Sequence, residues 1–261
     1  MSKMMLKCAV ICSVMFITSF AMAENRRNVS FDQAKRDMKT FVYYDHPETF
    51  YCHVHFDDHN KVELPEDFEA PKYKNRAGRM EWEHIVPAEN FGRAFKEWRE
   101  GHPDCVNSKG EPYKGRRCAY KTNKQFRIMQ SDMYNLYPSV GAVNAIRSNY
   151  NFAELTGEND IFIEACEFKV QGRKVEPADF SKGEIARTFL YFDNEYPKYS
   201  MSKQSKKLMQ TWNVLYPVTP WECSRAKRIE SVQGNPNNFV KEPCIEKGWY
   251  NDTESQKGIE P

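Results

Sequence analysis

Glu83 and His84 stand side by side near the end of an alternating segment, GRMEWEHIVPAENFG, at residues 78–92. A histidine side chain is suited to take a proton from water near neutral pH. Side chains alternate along a strand, so these two neighbours point to opposite faces. They can serve one site only if the strand ends or bends there, and Pro87 is consistent with such an ending. The alternative is that His84 is a satisfied core histidine on an apolar strand face.

Asn144 is a candidate metal ligand in the segment that follows, residues 131–149. Pro138 is suited to open a helix, and on that helix Val140, Asn144 and Arg147 would share one face. Asparagine is a mediocre residue in the middle of a helix, so Asn144 is either a solvent-facing side chain or an oxygen ligand for a hard cation. A strand that ends in Glu-His, followed by a helix with Asn, meets the needs of a one-metal phosphodiesterase. That chemistry takes a general base, a cation and an arginine.

A second group of possible ligands follows the predicted strand at residues 50–56. Cys52, His53, His55 and His59 have ligand-like spacing, since His53 and His55 would share a strand face. The alternative is an exposed polar strand, with Cys52 lost as a ligand if it is oxidised. The H-E-x-x-H pattern of zinc proteases is absent from the sequence.

Positive charge is concentrated in residues 109–127, where seven basic residues occur with a single acid, Glu111. The basic residues are Lys109, Lys114, Arg116, Arg117, Lys121, Lys124 and Arg127. Such a patch with interleaved aromatic residues suits a phosphate backbone, and the alternative is a solvated loop. Net charge itself says nothing about nucleic acid, because the chain has 38 basic and 36 acidic residues.

The first residues predict a secretory signal peptide at 1–23, cleaved near Ala23, because two lysines precede an apolar run that ends in small residues. No other stretch approaches the roughly 20 apolar residues of a membrane span. Of the eight cysteines, Cys8 and Cys12 lie in this segment, and an even number remains for disulfides in an exported chain. Sequence proximity favours three pairs, Cys105 with Cys118, Cys223 with Cys244, and therefore Cys52 with Cys166.

The remaining patterns predict one α+β domain over residues 24–261, with long loops and a polar tail after about residue 245. Capping boxes that begin at Ser30 and Ser181 predict two helices, and apolar spacing predicts a third from about Ser202 to Leu215. Short strands are expected at residues 50–56, 79–86 and 162–170.

Four long segments resemble the bacterial endonuclease I family: EWEHIVPAENFG, KQFRIMQSDMYNLYPSVGAVNAIRSNYNF, KGEIARTFLYF and YPVTPWECSRAKRIESVQGNPNNFV. The resemblance implies a disulfide-stapled nuclease fold that contains a ββα-metal (His-Me finger) motif. It implies that His84 is the general base, that Glu83 and Asn144 hold one Mg²⁺, and that Arg116 steadies the cleaved phosphate. Two positions depart from the family pattern, since Gln130 replaces a glutamate and Cys52 is not part of a Cys-Gly-Cys sequence.

The expected function is hydrolysis of DNA and RNA by an exported, monomeric endonuclease, periplasmic or secreted, that leaves 5'-phosphate and 3'-hydroxyl ends. Mn²⁺ is an alternative to Mg²⁺, since both prefer oxygen ligands. The residues expected to contact nucleic acid are Lys114, Arg117, Lys121, Lys124, Arg127 and Arg147. The rival hypothesis is an exported, disulfide-bonded nucleic-acid-binding protein without catalysis.

Overall fold

The computed structural model describes Asn25 and residues 27–250. The predicted signal peptide and its cleavage site lie outside these residues, as does the end of the predicted polar tail. In the part of the chain that is described, no helix is long and apolar enough to cross a membrane.

The protein is a mixed α/β domain with two small sheets among helices, consistent with the α+β prediction. The helices are α1 (Phe31–Asp37), α2 (Ala88–Gly92), α3 (Lys96–Arg99), α4 (Arg116–Thr122), α5 (Lys124–Gln130), α6 (Gly141–Arg147), α7 (Asp179–Glu195), α8 (Lys203–Leu215), α9 (Pro220–Gln233) and α10 (Asn238–Glu246). A π-helical turn, Met38–Val42, continues α1, and short 3-10 turns occur at Lys74–Arg76, Met133–Asn135 and Glu164–Cys166. The strands are β1 (Met80–His84), β2 (Leu136–Val140), β3 (Asn151–Phe152), β4 (Ile161–Ile163), β5 (Phe168–Gln171) and β6 (Lys174–Glu176).

Strands β1 and β2 form an antiparallel pair in which Glu83 lies opposite Tyr137 and His84 lies opposite Leu136. Strand β2 runs directly into α6, because Gly141 begins the helix immediately after the strand. A side chain at Gly141 would lie 2.6 Å from the carbonyl oxygen of Arg76 and 2.9 Å from Oε1 of Glu81. Only glycine fits this close approach, which places α6 against β1.

The prediction that Pro138 opens a helix is wrong. Pro138 lies in β2 opposite Trp82, and its carbonyl accepts a hydrogen bond from the Phe50 amide (2.7 Å). Proline is tolerated in an edge strand because the missing N–H costs no ladder bond there. The helix begins at Gly141, so Val140 is its N-cap residue and does not share a helical face with Asn144.

Two predicted strands are interrupted by tight turns. Residues 50–56 form a turn with only isolated β-bridges, and His53 has a left-handed φ of 49°. Residues 162–170 are divided by the turn Glu164–Cys166, which separates β4 from β5. The strand predicted at residues 79–86 is confirmed, with bounds Met80–His84.

The predicted helix starts have mixed outcomes. The Ser30 hydroxyl accepts from the Gln33 amide (3.3 Å), and Ser202 caps α8 in the same way. The prediction that a capping box begins at Ser181 is wrong, because α7 already begins at Asp179 and Ser181 Oγ donates to the Phe50 carbonyl (3.3 Å). The basic segment is also more ordered than a loop, since α4 and α5 occupy most of its second half.

All three predicted disulfides are present. Cys52–Cys166 joins residues 114 positions apart, Cys105–Cys118 closes the turn-rich segment before α4, and Cys223–Cys244 ties α9 to α10.

Candidate active site

A cleft of about 470 Å³ brings together the four side chains for which the family resemblance implied a catalytic or metal-binding role. These are Glu83, His84, Arg116 and Asn144. They come from the end of β1, the start of α4 and the middle of α6. The β1–β2 pair and α6 therefore form the floor of one site.

The end of β1 is what allows Glu83 and His84 to line the same cleft. Asn135 holds the chain just beyond the strand, because its side-chain oxygen accepts from the Val86 amide (2.7 Å) and its side-chain nitrogen donates to the Val86 carbonyl (3.0 Å). The Asn135 carbonyl also accepts from the Ile85 amide (3.1 Å). Strand alternation thus stops at His84.

The geometry around His84 defines where its proton lies. Its Nε2 is 2.9 Å from the Gln130 carbonyl oxygen. A carbonyl only accepts, so Nε2 carries the hydrogen and Nδ1 is left with a free lone pair. The ring stacks on Phe31, with centroids 5.0 Å apart. Burial, followed by the positive charge of Arg116, lowers the pKa of His84 to about 3, so the neutral imidazole is the form present at neutral pH.

Glu83 is a buried carboxylate with one oxygen engaged. Arg147 Nη1 lies 3.1 Å from its Oε1, and the Tyr51 hydroxyl donates to the same oxygen (3.2 Å). Burial raises the pKa of Glu83 to about 7, against the opposing effect of Arg147. Within the described residues both partners contact Oε1, which leaves Oε2 available to a cation.

Asn144 is oriented by a carboxylate that the sequence reasoning did not select. Its Nδ2 donates to Oε2 of Glu81 (3.1 Å), and Glu81 in turn accepts from Nε of Arg76 (3.0 Å) and Nε of Arg79 (2.8 Å). Because the amide nitrogen is turned to Glu81, the amide oxygen is the atom left to face a ligand. One carboxylate oxygen and one amide oxygen in the same cleft suit a hard cation.

Comparison with known proteins identifies the family. A family model described as endonuclease I matches residues 22–244. The chain belongs to the endonuclease I family. It is 36% identical over 222 residues to an extracellular deoxyribonuclease of Aeromonas hydrophila, which covers 82% of this chain and 90% of the relative. A periplasmic deoxyribonuclease of the same organism is 35% identical over 223 residues, 82% of this chain and 86% of the relative. An endonuclease-1 of Buchnera aphidicola from Acyrthosiphon pisum is 33% identical over 207 residues, 77% of this chain and 76% of the relative.

Membership makes this chain a nuclease, a hydrolase of phosphodiester bonds. A nuclease site has to hold a phosphodiester. Arg116 is an exposed residue that lines the cleft, and its guanidinium lies 5.3 Å over the Phe31 ring. Among the described residues it makes no hydrogen bond or ion pair.

The other predicted phosphate contacts fall into two groups. Lys114, Arg117, Lys121 and Lys124 are exposed on or next to α4 and α5. Two of the predicted contacts also donate to backbone carbonyls: Lys121 to that of Asp104 (2.5 Å), and Arg127 to that of Tyr120 in α4 (3.0 Å).

Arg147, which was predicted to contact nucleic acid, is buried. The side chain is only 1% exposed and donates to the carbonyl oxygens of His84 (2.9 Å) and Ile85, beside its ion pair with Glu83. These bonds fix the end of β1. Such a placement suits support of Glu83 and His84 and does not suit direct contact with a phosphate backbone.

The histidine group near Cys52 is not gathered into a second metal site. Cys52 is in a disulfide, the His53 ring packs on Phe180 (3.9 Å), and His55 lies 3.3 Å from Glu63. Over Asn25 and residues 27–250, no group of three or more His, Cys, Asp or Glu side chains could hold a metal ion.

Three contributors to the site were not found by sequence reasoning. None of Phe31, Tyr51 and Glu81 was among the candidate site residues. A signal existed only for Glu81, which is two residues before Glu83 and so shares its face.

Proposed function

We propose that this endonuclease I family member is a Mg²⁺-dependent enzyme that cuts DNA, and also RNA, at internal phosphodiester bonds with little sequence preference. The main support for this proposal is the hydrogen bond from His84 Nε2 to the Gln130 carbonyl, in a cleft that also holds Glu83 and Asn144. The deoxyribonuclease names of two relatives support DNA as a substrate and export as the destination.

His84 acts as the general base. The Gln130 carbonyl keeps the hydrogen on Nε2, so Nδ1 takes the proton from the attacking water. A substrate phosphate beside Arg116 offsets the positive charge that lowers the pKa of His84. Binding of substrate therefore makes the imidazole a stronger base at the moment it is needed.

Glu83 Oε2 and Asn144 Oδ1 are the atoms that would hold Mg²⁺, and Mn²⁺ suits the same oxygens. With them, β1, β2 and α6 would constitute a ββα-metal motif. When bound, the cation neutralises charge on the phosphate and on the departing 3' oxygen. Arg147 and Tyr51 hold Glu83 in place, and Glu81 turns the Asn144 amide.

Arg116 binds the phosphate that is cut. Its planar guanidinium can donate two parallel hydrogen bonds to phosphate oxygens, and the charge stabilises the transition state. Exposed Lys114, Arg117, Lys121 and Lys124 extend the positive surface along the backbone, which carries no sequence information. Attack by water in line with the 3' oxygen leaves a 5'-phosphate and a 3'-hydroxyl.

The test is cleavage of plasmid DNA and of RNA by the oxidised mature protein in Mg²⁺, with and without EDTA. The His84→Ala variant is compared with His59→Ala, which removes an exposed histidine outside the cleft. We expect wild type and His59→Ala to cut, and EDTA to stop both. His84→Ala should bind DNA but cut it much more slowly than wild type.

Two outcomes would contradict the proposal. Products with 3'-phosphate ends would exclude the mechanism with a 3'-oxygen leaving group. Binding without cleavage by the wild-type protein would favour an exported nucleic-acid-binding protein in which Glu83 and His84 are structural.

A further inference from the structure

A second pocket, of about 310 Å³, lies beside the catalytic cleft. It is lined by Phe31, Asp32, Arg116, Arg117, Tyr120 and Gln130. Phe31 and Arg116 also line the cleft, so the two spaces share a wall. Its size falls at the lower end of the roughly 300–1,000 Å³ that is common for small-ligand pockets.

Gln130, which lines the pocket, has a polar side-chain atom that lacks a partner among the described residues. Gln130 is 4% exposed, and its Oε1 is buried without a hydrogen bond among the described residues. Buried polar atoms are nearly always paired, since an unpaired one loses the hydrogen bonds it would make to water. The backbone carbonyl of the same residue holds His84 Nε2. The unpaired acceptor therefore belongs to the same residue whose carbonyl contacts the proposed general base.

The rest of the lining matches one kind of group. Tyr120 offers aromatic surface, on which a flat ring system stacks with little regard to its identity, and Phe31, whose ring also contacts His84 and Arg116, adds to the apolar lining. Arg116 stands at the wall between the pocket and the cleft, where it would hold a phosphate. A planar ring with an N–H group, joined to a phosphate by one sugar, fits these three features together.

We propose that this pocket binds the unpaired base of a nucleotide that flanks the cleaved phosphodiester. The proposal rests on the nuclease function above, with the phosphate on Arg116, the base against Phe31 and Tyr120, and an N–H of its pairing edge donated to Gln130 Oε1. Every base has an N–H donor on its pairing edge, so the pocket accepts all of them. Pairing occupies that edge, so a base in a duplex has to leave its stack before it can enter.

The first experiment uses single-stranded oligonucleotides with one cleavable phosphodiester and methylphosphonates elsewhere. The nucleotide on one or the other side of the cleavable bond carries either a base or an abasic sugar. On one side of the cleavable bond, we expect wild type to cut the oligonucleotide with the base about tenfold faster than the abasic one. A tenfold effect is typical of one stacked base. Equal rates with and without the base, on both sides, would overturn the proposal.

Variants locate the effect. Gln130→Leu removes the acceptor and should reduce the ratio of the two rates severalfold, and Tyr120→Leu should reduce it by removing aromatic surface. Gln125→Leu is the matched control, because Gln125 lies on the same helix α5 but does not line the pocket. The ratio is internal to each variant, so a change in folded fraction cancels. A ratio unchanged by both Gln130→Leu and Tyr120→Leu would contradict the assignment.

A binding measurement separates this inference from the nuclease function. Isothermal titration with AMP and with ribose 5-phosphate, in EDTA, should show about tenfold tighter binding of AMP by wild type and a smaller difference for Gln130→Leu. If the protein cuts no oligonucleotide, the nuclease proposal fails while this result still decides the pocket. If it cuts but binds AMP and ribose 5-phosphate equally, the pocket proposal fails and the nuclease function stands.

Discussion

Two buried carboxylates, Asp132 and Glu83, show how this protein separates a structural acid from one that can hold a ligand. Asp132 is fully buried, and its two oxygens accept four hydrogen bonds, from the Tyr191 and Tyr196 hydroxyls, from Gln233 Nε2 (3.0 Å) and from the Tyr134 amide (3.0 Å). Glu83 is 2% exposed, but both of its partners contact one oxygen.

Burial raises the pKa of both carboxyl groups, so the shift does not distinguish them. What differs is the position and the number of donors. Asp132 ties the turn Met133–Asn135 to α7 and α9. Glu83 lines the cleft, and both of its partners contact the same oxygen, Oε1. A perturbed acid is thus a site candidate only where its hydrogen bonding is incomplete and it faces open space.

Replacement of His84 should give the largest effect, and it should change activity and not stability. His84→Ala should lower the rate of DNA cleavage by about 10²–10⁴, the usual contribution of a positioned base. Its melting temperature should stay close to that of wild type. Asp132→Asn should do the reverse, with a lower melting temperature and nearly full specific activity in the folded fraction. A His84→Ala enzyme with wild-type rate would remove the general base from the mechanism.

Two arginines beside the site should differ in what they stabilise. Arg147→Met leaves Glu83 as an uncompensated buried acid and should cost about 3–5 kcal/mol of unfolding free energy at pH 8. Arg116→Met changes an exposed side chain and should alter stability by about 0.5 kcal/mol or less, while cleavage slows. Urea unfolding measures both, and equal destabilisation would show that the burial of Arg147 does not support the fold.

The apparent affinity for Mg²⁺ should depend on pH, because Glu83 is a proposed ligand. Because burial raises its pKa to about 7, the carboxyl is protonated below that pH, and a proton competes with the cation for it. Apparent Mg²⁺ affinity should therefore fall as pH decreases below 7, towards about tenfold per pH unit. Titration of Mg²⁺ at several pH values checks this, with Asp132→Asn expected to keep the same dependence. Affinity that is constant from pH 8 to pH 5 would contradict Glu83 as a ligand.

The smallest effect should come from the exposed lysines. Lys124→Ala removes one phosphate contact, so the slope of log affinity against log salt should become shallower by about 0.9 for duplex DNA. Lys203→Ala, an exposed lysine at the start of α8, should leave the slope unchanged. Fluorescence anisotropy at several salt concentrations, in EDTA, measures both. The same change of slope for both variants would mean that the region of α4 and α5 is not the binding surface.

Local pattern in the sequence determined a substantial part of this protein. Alternation predicted β1 and its end near Pro87. The Ser30 capping box and the apolar spacing after Ser202 predicted two helix starts, and cysteine proximity predicted all three disulfides. These features depend on residues close in the chain or on a small number of possible pairings. The resemblance to the endonuclease I family also singled out Glu83, His84, Arg116 and Asn144, which line one cleft.

Other features were decided only by the tertiary structure. Pro138 lies in a strand because β1 offers it a partner, and Arg147 is buried because the end of β1 presents carbonyl oxygens and Glu83. The proton on His84 is placed by a carbonyl 46 residues away, and Asp132 is satisfied by Gln233, 101 residues away. Such contacts depend on which elements pack together, and periodicity or capping in one segment has no information about the donors and acceptors that a distant segment brings.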